Sequence, residues 1–261
     1  MIILGIETSC DETSAAVVRN GTEVLCNIIA STKDVFAQSG GVVPEDAARR
    51  QVELILPVLH SAITDAGLSY ADIDAIAITK GPGLMGSLLV GVMAARTLSL
   101  VHNIPLIGVH HTLGHLSSIW LEHSEEPTFP CLTLSVSGGH SDLWLRSSHT
   151  DGKLIGKTKD DAAGEAFDKG AAMLGLPYPG GPSIAKAAES GDASAFNFPI
   201  ALSKEKTCDF SFSGLKNSLR LAIQKHDGDL EKLRPNLAAS YQEAICAQLC
   251  HRVSHALTLY P

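Results

Sequence analysis

Two stretches of this 261-residue chain share one layout, and that repetition constrains the fold more than any single residue does. The first, IILGIETSCDETSAAVVRNGTEVLCNIIAS, reads as a strand, a small polar turn, a second strand, Asn20-Gly21 and a third strand. The second, CLTLSVSGGHSDLWLRSSHTDGKLIGKTKD, reads as a strand, the turn SGGH, a strand, Asp151-Gly152 and a strand. Asn-Gly and Asp-Gly are hairpin pairs because both tolerate positive φ. Helical sequence follows each meander: PEDAARRQVELILPVLHSAITDAG in the first half, DAAGEAFDKGAAMLGL in the second. Strand triplets followed by helices, repeating about 130 residues apart, predict a duplicated α/β unit with a cleft between its halves.

The first half continues with the strand DAIAIT, the helix SLLVGVMAARTLSLVHN and the strand PLIGV. The second half runs from SYQEAICAQLCHRVSHALTLYP to Pro261 with no matching strand and helix. The expectation is therefore two lobes, residues 1–129 and 130–261, the second missing its last strands. A net charge of −8 excludes a chain that grips nucleic acid unaided, since phosphate neutralisation by basic residues supplies most non-specific affinity. Six scattered cysteines with no C-x-x-C give no disulfide framework. The opening MIILGIETSC lacks a basic n-region and a cleavage site, so it does not read as a signal peptide. No apolar run reaches the roughly 18 residues of a membrane span. A cytoplasmic protein is expected.

Three of the chain's 11 histidines fall in HHTLGH. His111 and His115 sit four apart just past a predicted strand end, where α/β folds place their ligands. On a helix both imidazoles would share one face, about a turn apart, close enough to hold one metal ion. Two histidines alone make an incomplete site. His251 and His255 repeat the spacing in CHRVSH, but with no strand end or glycine turn nearby they read as a solvated helix face.

GPGLMG at 81–86 matches G-x-G-x-x-G, yet VHNIPLIGVHH supplies no acidic residue to hold a ribose, so it reads as a tight strand-to-helix turn. SVSGGHSD offers backbone amides unobstructed by Cβ at Gly138 and Gly139, with Ser137 as a further donor, a pattern suited to an anion. GIETSCDET is its counterpart in the first half, carrying Thr8, Ser9, Asp11 and Glu12. In DDAAGEAFDKGAAMLGLPYPGGP, Asp161 is a candidate N-cap and Ala162, Ala163 and Gly164 leave the helix start open to a negative group. Asp168 could accept from ribose hydroxyls, and the Pro179–Pro182 turn could lie against a flat base or sugar. Each of these segments taken alone also reads as a plain turn or a capped helix.

Together, GIETSCDET, GGVVPEDAAR, KGPGL, HHTLGH, VSGGH, DDAAGEAFDK, GLPYPGGP, FSFSGLKN and AASYQEA closely resemble one family, the tRNA threonylcarbamoyladenosine transferases TsaD with their archaeal, eukaryotic and mitochondrial relatives. The motifs stand in the family's order, from residue 5 to about 244. The resemblance implies a duplicated actin-like/Hsp70-like (ribonuclease H-like) α/β fold. It implies transfer of threonylcarbamoyl from threonylcarbamoyl-AMP to N6 of adenosine 37 in tRNAs reading codons that begin with A. It makes His111 and His115 ligands of one divalent metal, usually described as iron (Fe2+), and brings Ser135, Val136, Ser137, Gly138, Gly139, Asp168 and Gly181 to the adenylate. Asp11 or Glu12 would take the proton of the attacking amine. The implied partners are tRNA, a TsaB-like paralogue and a TsaE-like ATPase, with no membrane.

Three departures stand out. Leu113 replaces the Glu usual in bacterial members, and Gln51 replaces a common His without an evident consequence. The family continues into a glycine-rich turn whose Asn touches the adenylate and an Asp that completes the metal site; these 261 residues hold neither. An unpaired sheet edge and a weaker two-histidine site are the expectation. The alternatives are a truncated, non-catalytic scaffold that binds partner proteins through its first lobe, and a small-molecule kinase of the same fold, which would not need His111 and His115. A protease is excluded by the lack of H-E-x-x-H or any comparable constellation.

Overall fold

The first meander forms as its sequence predicts. Strands β1 (Ile2–Glu7), β2 (Thr13–Arg19) and β3 (Glu23–Ala30) pair antiparallel in order, and Asn20 (φ 54) and Gly21 (φ 81) both take the left-handed conformation of a two-residue hairpin. The computed structural model describes residues 1–31, 43–123, 127–226 and 229–261, in two compact units, Met1–Pro127 and Thr128–Pro261. Residues 40–42, the start of GGVVPEDAAR, lie outside the described residues.

In the first unit, β4 (Ala75–Gly81) and β5 (Leu106–His110) add parallel strands beyond β1, giving the order β3-β2-β1-β4-β5. The helix α1 (Pro44–Asp65) opens with Pro44 and the acidic Glu45 and Asp46, which suit the positive end of its dipole. It buries Ile55, Val58, Leu59, Ala62 and Ile63 at helical spacing against Leu4, Ile6, Ala15, Val17 and Ile76 of the sheet. The helix α2 (Met85–His102) seats Gly91 so closely that a Cβ there would lie 2.3 Å from Thr8 Oγ1, and Asn103 (φ 54) ends it in the left-handed conformation. By length and composition α2 could cross a membrane, which corrects the reading that no apolar run is long enough. Leu88 and Ala95 of this helix are buried in the unit, whereas Leu89, Met93, Leu100 and Val101 are exposed.

The second unit repeats the meander in β6 (Cys131–Val136), β7 (Ser141–Arg146) and β8 (Gly152–Lys157), antiparallel in the order β6-β7-β8. Here the sequence reading needs correcting. Neither Asp151 nor Gly152 has positive φ. The connection instead spans Ser147–Asp151, with the Ser147 and Ser148 amides donating to the Asp151 carbonyl and Ser147 Oγ to its carboxylate. Helices α4 (Ala163–Met173), α5 (Gly180–Ala188), α6 (Ser213–Lys225) and α7 (Leu230–Leu259) follow the short helix α3 (His111–Ser118) of the first unit. Phe210, Phe212, Leu219, Leu237, Tyr241 and Ile245 form the centre of this core. The buried Tyr241 hydroxyl donates to the Ala166 carbonyl at 2.9 Å, and Gly170 leaves room for its ring.

Candidate functional site

Parallel strands bring their C-terminal ends together. Ile6 of β1 lies beside Ile78 of β4, and Thr79 beside Val109 of β5, so Glu7, Thr79 and the His110–His111 junction become neighbours at one sheet edge. Thr79 Oγ1 donates to Glu7 Oε2 and the Ser9 amide to Glu7 Oε1, both at 2.5 Å. His111 Nδ1 lies 3.2 Å from Glu7 Oε2 and 3.1 Å from Ser9 Oγ. Burial pushes the Glu7 carboxyl up, but hydrogen bonds from His111, Ser9 and Thr79 outweigh it and hold the group at about 2. Glu7 is therefore a carboxylate at neutral pH. Ser9 and Glu7 both meet Nδ1, whereas a hydrolytic triad needs nucleophile and carboxylate on opposite ring nitrogens. The arrangement is not a protease's.

The other nitrogen of His111 points elsewhere. Because α3 starts at His111, His115 falls one turn later, and the two Nε2 atoms stand 3.0 Å apart with the rings edge to face at 85°. Two imidazole lone pairs at that separation repel unless a proton or a cation lies between them. A metal at the usual ~2.0–2.1 Å from each nitrogen would subtend about 90–95°, an angle ordinary coordination accepts. The residues present thus fit a divalent cation as two nitrogen donors. Among the described residues no group of three His, Cys, Asp or Glu side chains gathers at one point. The pair borders a depression of about 360 Å³ that also reaches Glu7, Thr79, Gly114 and Leu121.

The turn between β1 and β2 is clamped from two sides. Gln51, fully buried on α1, donates from Nε2 to the carbonyls of Glu12 (2.9 Å) and Cys10 (3.1 Å). That supplies the consequence the sequence alone did not give for this residue. From the other side, GPGL packs directly on the turn: the Leu84 amide donates to the Ser9 carbonyl at 2.7 Å, and a Cβ at Gly83 would sit 2.5 Å from that oxygen. The GPGLMG segment is thus a strand-to-helix turn shaped by contact with its neighbour. Glu12 Oε1 accepts from Ser31 Oγ at 3.4 Å, and both Asp11 and Glu12 are half-buried.

In the second unit, Ser137, Gly138 and Gly139 form a turn whose Ser137 Oγ accepts from the Gly139 (3.3 Å) and His140 (3.0 Å) amides. Space is open where a Cβ of Gly138 or Gly139 would point. The start of α4 rests on this turn: the Gly164 amide donates to the Ser137 carbonyl at 3.1 Å, and a Cβ on Gly164 would come within 2.6 Å of the same oxygen. Ser135 is buried at the end of β6, and Val136 is exposed beside it. A turn of two glycines meets a helix N-terminus here, a setting that favours an anion, although the Ser137 hydroxyl takes the Gly139 and His140 amides in this structure.

One expectation for α4 changes. Ala162 takes the N-cap position, and Asp161, one residue earlier, pairs with Lys169 (2.8 Å) and Lys216 (3.0 Å) instead of capping. Asp168 Oδ1 accepts from the Gly180 amide at 2.7 Å, so this carboxylate fixes the Pro179–Pro182 turn; Gly181 faces open space. Sequence reading also passed over Asp160, which accepts from the Ser211 hydroxyl and from both the amide and the hydroxyl of Ser213, as well as from the Phe212 amide, and so moors FSFSG to the start of α4. Of the second histidine pair, His251 is exposed as expected, whereas His255 is only partly exposed and its Nε2 is buried, so the solvated-face reading holds for the first alone. Arg252 beside it is fully buried, with its guanidinium on the carbonyls of Leu202, Glu205 and Thr207.

The family model for TsaD, tRNA N6-adenosine threonylcarbamoyltransferase, matches residues 23–261. The chain belongs to this family. It is 49% identical over 256 residues to the tRNA N6-adenosine threonylcarbamoyltransferase of Anaeromyxobacter sp. (strain Fw109-5), covering 98% of this chain and 77% of the relative. It is 47% identical over 261 residues to that of Bacillus subtilis (strain 168), covering 100% and 75%. Among solved structures, component A of the (R)-2-hydroxyglutaryl-CoA dehydratase of Acidaminococcus fermentans is similar at TM-score 0.54 and 12% identity, over 97% of this chain and 78% of that one. That likeness speaks to the fold alone, an α/β architecture with one mixed and one antiparallel sheet.

Proposed function

We infer that this chain is a tRNA N6-adenosine threonylcarbamoyltransferase, acting in t6A biosynthesis, as the family match along residues 23–261 supports. The acceptor is adenosine 37 of tRNAs reading codons that begin with A, and the donor is threonylcarbamoyl-AMP. The observation that carries the chemistry is the convergence of the two Nε2 atoms of His111 and His115 at 3.0 Å. These two side chains would hold one divalent cation, and imidazole donors suit iron as they suit zinc. Bound there, a cation would supply Lewis acidity to the threonylcarbamoyl donor.

The protein's own groups do the rest. The Ser135–Gly139 segment, beside the start of α4, holds the anionic phosphate of the donor through the Gly138 amide and the Ser137 hydroxyl, which releases the Gly139 amide as it turns to the ligand, with Val136 against its apolar surface. Asp168 sets the turn that presents Gly181 to the adenylate. The adenosine N6 attacks the carbamoyl carbon, a C–N bond forms, and the C–O bond to phosphate breaks with its electron pair leaving on AMP. Asp11 or Glu12 accepts the amine proton. Gln51 matters here because it fixes the backbone carrying both carboxylates.

A chain of net charge −8 needs help to hold tRNA. On the first unit, Val52 and Leu56 of α1 and Leu89 and Met93 of α2 are each more than half exposed, on two helices that pack side by side. Such a face supports docking of a TsaB-like paralogue, with a TsaE-like ATPase completing the assembly. All six cysteines are free thiols, which suits the reducing cytoplasm where tRNA is modified. The test is to incubate the chain with tRNA, threonylcarbamoyl-AMP and its partner proteins and to measure the modified nucleoside. Product should form, and His111→Ala should lower it at least ~100-fold. Undiminished product from the variant would remove the metal role.

A further inference from the structure

Glu7 enters none of the roles above, yet its carboxylate is the most heavily engaged group at the strand ends. It is the last residue of β1, on the half-buried face it shares with Gly5 and opposite the buried Leu4 and Ile6. One oxygen takes the Ser9 amide; the other takes the Thr79 hydroxyl and faces His111 Nδ1. An ionised carboxylate can only accept hydrogen bonds, so the nitrogen facing it must carry the proton. With the proton on Nδ1, the lone pair of His111 is on Nε2, the atom that meets His115. Ser9 Oγ, 3.1 Å from the same Nδ1, is placed to share that proton as a second acceptor.

We propose that Glu7 is a positioning residue that locks His111 in its Nδ1–H tautomer and turns the Nε2 lone pair toward the cation site shared with His115. Thr79 is the anchor that keeps the carboxylate from swinging off the ring. Three adjacent parallel strands thereby supply one linked unit: hydroxyl from β4, carboxylate from β1, imidazole from the end of β5. A carboxylate behind a ligating histidine also raises the basicity of the donor nitrogen, and loss of such a partner costs about 10–100-fold in metal affinity. A purely structural role, bracing the β1 end against β4, would use the Ser9 and Thr79 contacts and leave the imidazole indifferent to Glu7.

This proposal rests on His111 and His115 being cation ligands, and its test separates the two ideas. In the metal-free, full chain at about pH 8, 15N spectra of the histidine rings should show His111 protonated on Nδ1 and bare on Nε2. Glu7→Gln should shift that ring's signals and weaken Co2+ binding, followed by its visible spectrum, about 10–100-fold with little change in Tm. Thr79→Val should move both readouts in the same direction by less. A wild-type His111 carrying its proton on Nε2 overturns the proposal, as does a Glu7→Gln chain with unchanged ring signals and Co2+ affinity within twofold of wild type. If wild type binds Co2+ no better than His111→Ala, the metal reading fails, and the tautomer spectrum still decides the role of Glu7. If Glu7→Gln does not fold, the wild-type spectrum and Thr79→Val decide it.

Discussion

The two units start from the same three-stranded meander and put it to opposite chemical use. In the first, the turn after β1 and the ends of β4 and β5 gather side chains: a carboxylate, two hydroxyls and two imidazoles. In the second, the turn after β6 places two glycines between Ser137 and His140, is closed by the Ser137 hydroxyl and is backed by a helix start. Side chains that can shed or hold protons suit a cation and acid–base work; bare amides at a helix N-terminus suit an anion. The same topology therefore carries two different turns, one furnished mainly by side chains and the other mainly by glycine backbone. The means of seating each turn differ in the same way. Gln51 clamps the first with an amide side chain, and Gly164 seats the second by having none.

That contrast is broken most severely at Gly164. A methyl group there would meet the backbone carbonyl of Ser137 at 2.6 Å, and backbone cannot turn aside as a flexible side chain can. Gly164→Ala should cost about 3 kcal/mol of stability, the upper range for overpacking, and push α4 off the turn. Chemical denaturation would measure the first effect; a tenfold or greater rise in the KM for the adenylate donor would report the second. A fully stable, fully active variant would mean that the helix start and the turn are not a single unit.

Its counterpart in the first unit is Gln51→Ala, for which a loss of about 2 kcal/mol is expected, because two buried carbonyls lose their donor together. Since the turn carries Asp11 and Glu12, the rate should fall with it. Gln51→His is the informative companion. An imidazole reaches one carbonyl in place of two, so this variant should lie between wild type and alanine in thermal denaturation.

How much of this was legible in advance follows from the range of the forces involved. The meanders, the helices behind them and the strand-end histidines are written in local patterns, and α1, β4, β5 and α3 stand where periodicity and HHTLGH put them. Glu7 and Thr79 were not singled out because they become partners only through the parallel register of β1 and β4, 72 positions apart in sequence. The one local hint was a polar residue closing an apolar strand in both IILGIE and DAIAIT. Asp161 was misread as a cap because its two lysine partners lie 8 and 55 residues away and outcompete the nearby amides. The membrane criterion missed α2 because it asked for an unbroken apolar run, and Ser87, Arg96, Thr97 and Ser99 interrupt a helix whose mean hydropathy is still high.

The charged network of the second unit gives the comparison a pH axis. Burial raises the carboxyls of both Asp160 and Asp161, but hydrogen bonds from Ser211, Ser213 and Phe212 in one case, and from Lys169 and Lys216 in the other, prevail and lower them. A carboxylate depressed on folding stabilises the native state fully above its unfolded pKa, about 3.9, and that contribution is lost as pH falls through the folded value. The second unit should therefore weaken below about pH 4, and Asp160→Asn should flatten this acid limb. Circular dichroism melts between neutral and acid pH would check it. An unchanged slope would show that the mooring of FSFSG does not depend on charge.

The smallest expected effect tests the two meanders where they most nearly coincide. Asn20 holds φ 54 and accepts from the chain's amino terminus at 2.8 Å, whereas Asp151, its counterpart by sequence, has no left-handed backbone to maintain. An alanine in the left-handed region carries a steric cost that glycine escapes and asparagine partly offsets by local hydrogen bonding, so Asn20→Ala should cost about 1 kcal/mol. Asp151→Ala loses an exposed hydrogen bond from Ser147 and should cost about 0.5 kcal/mol or less. Asn20→Gly then separates backbone from side chain. If strain dominates, glycine stays within a few tenths of wild type, as it does at other positions that demand positive φ. If all three variants cost the same, the left-handed turn contributes nothing specific, and the first meander is held by β1–β4 pairing and not by its hairpin.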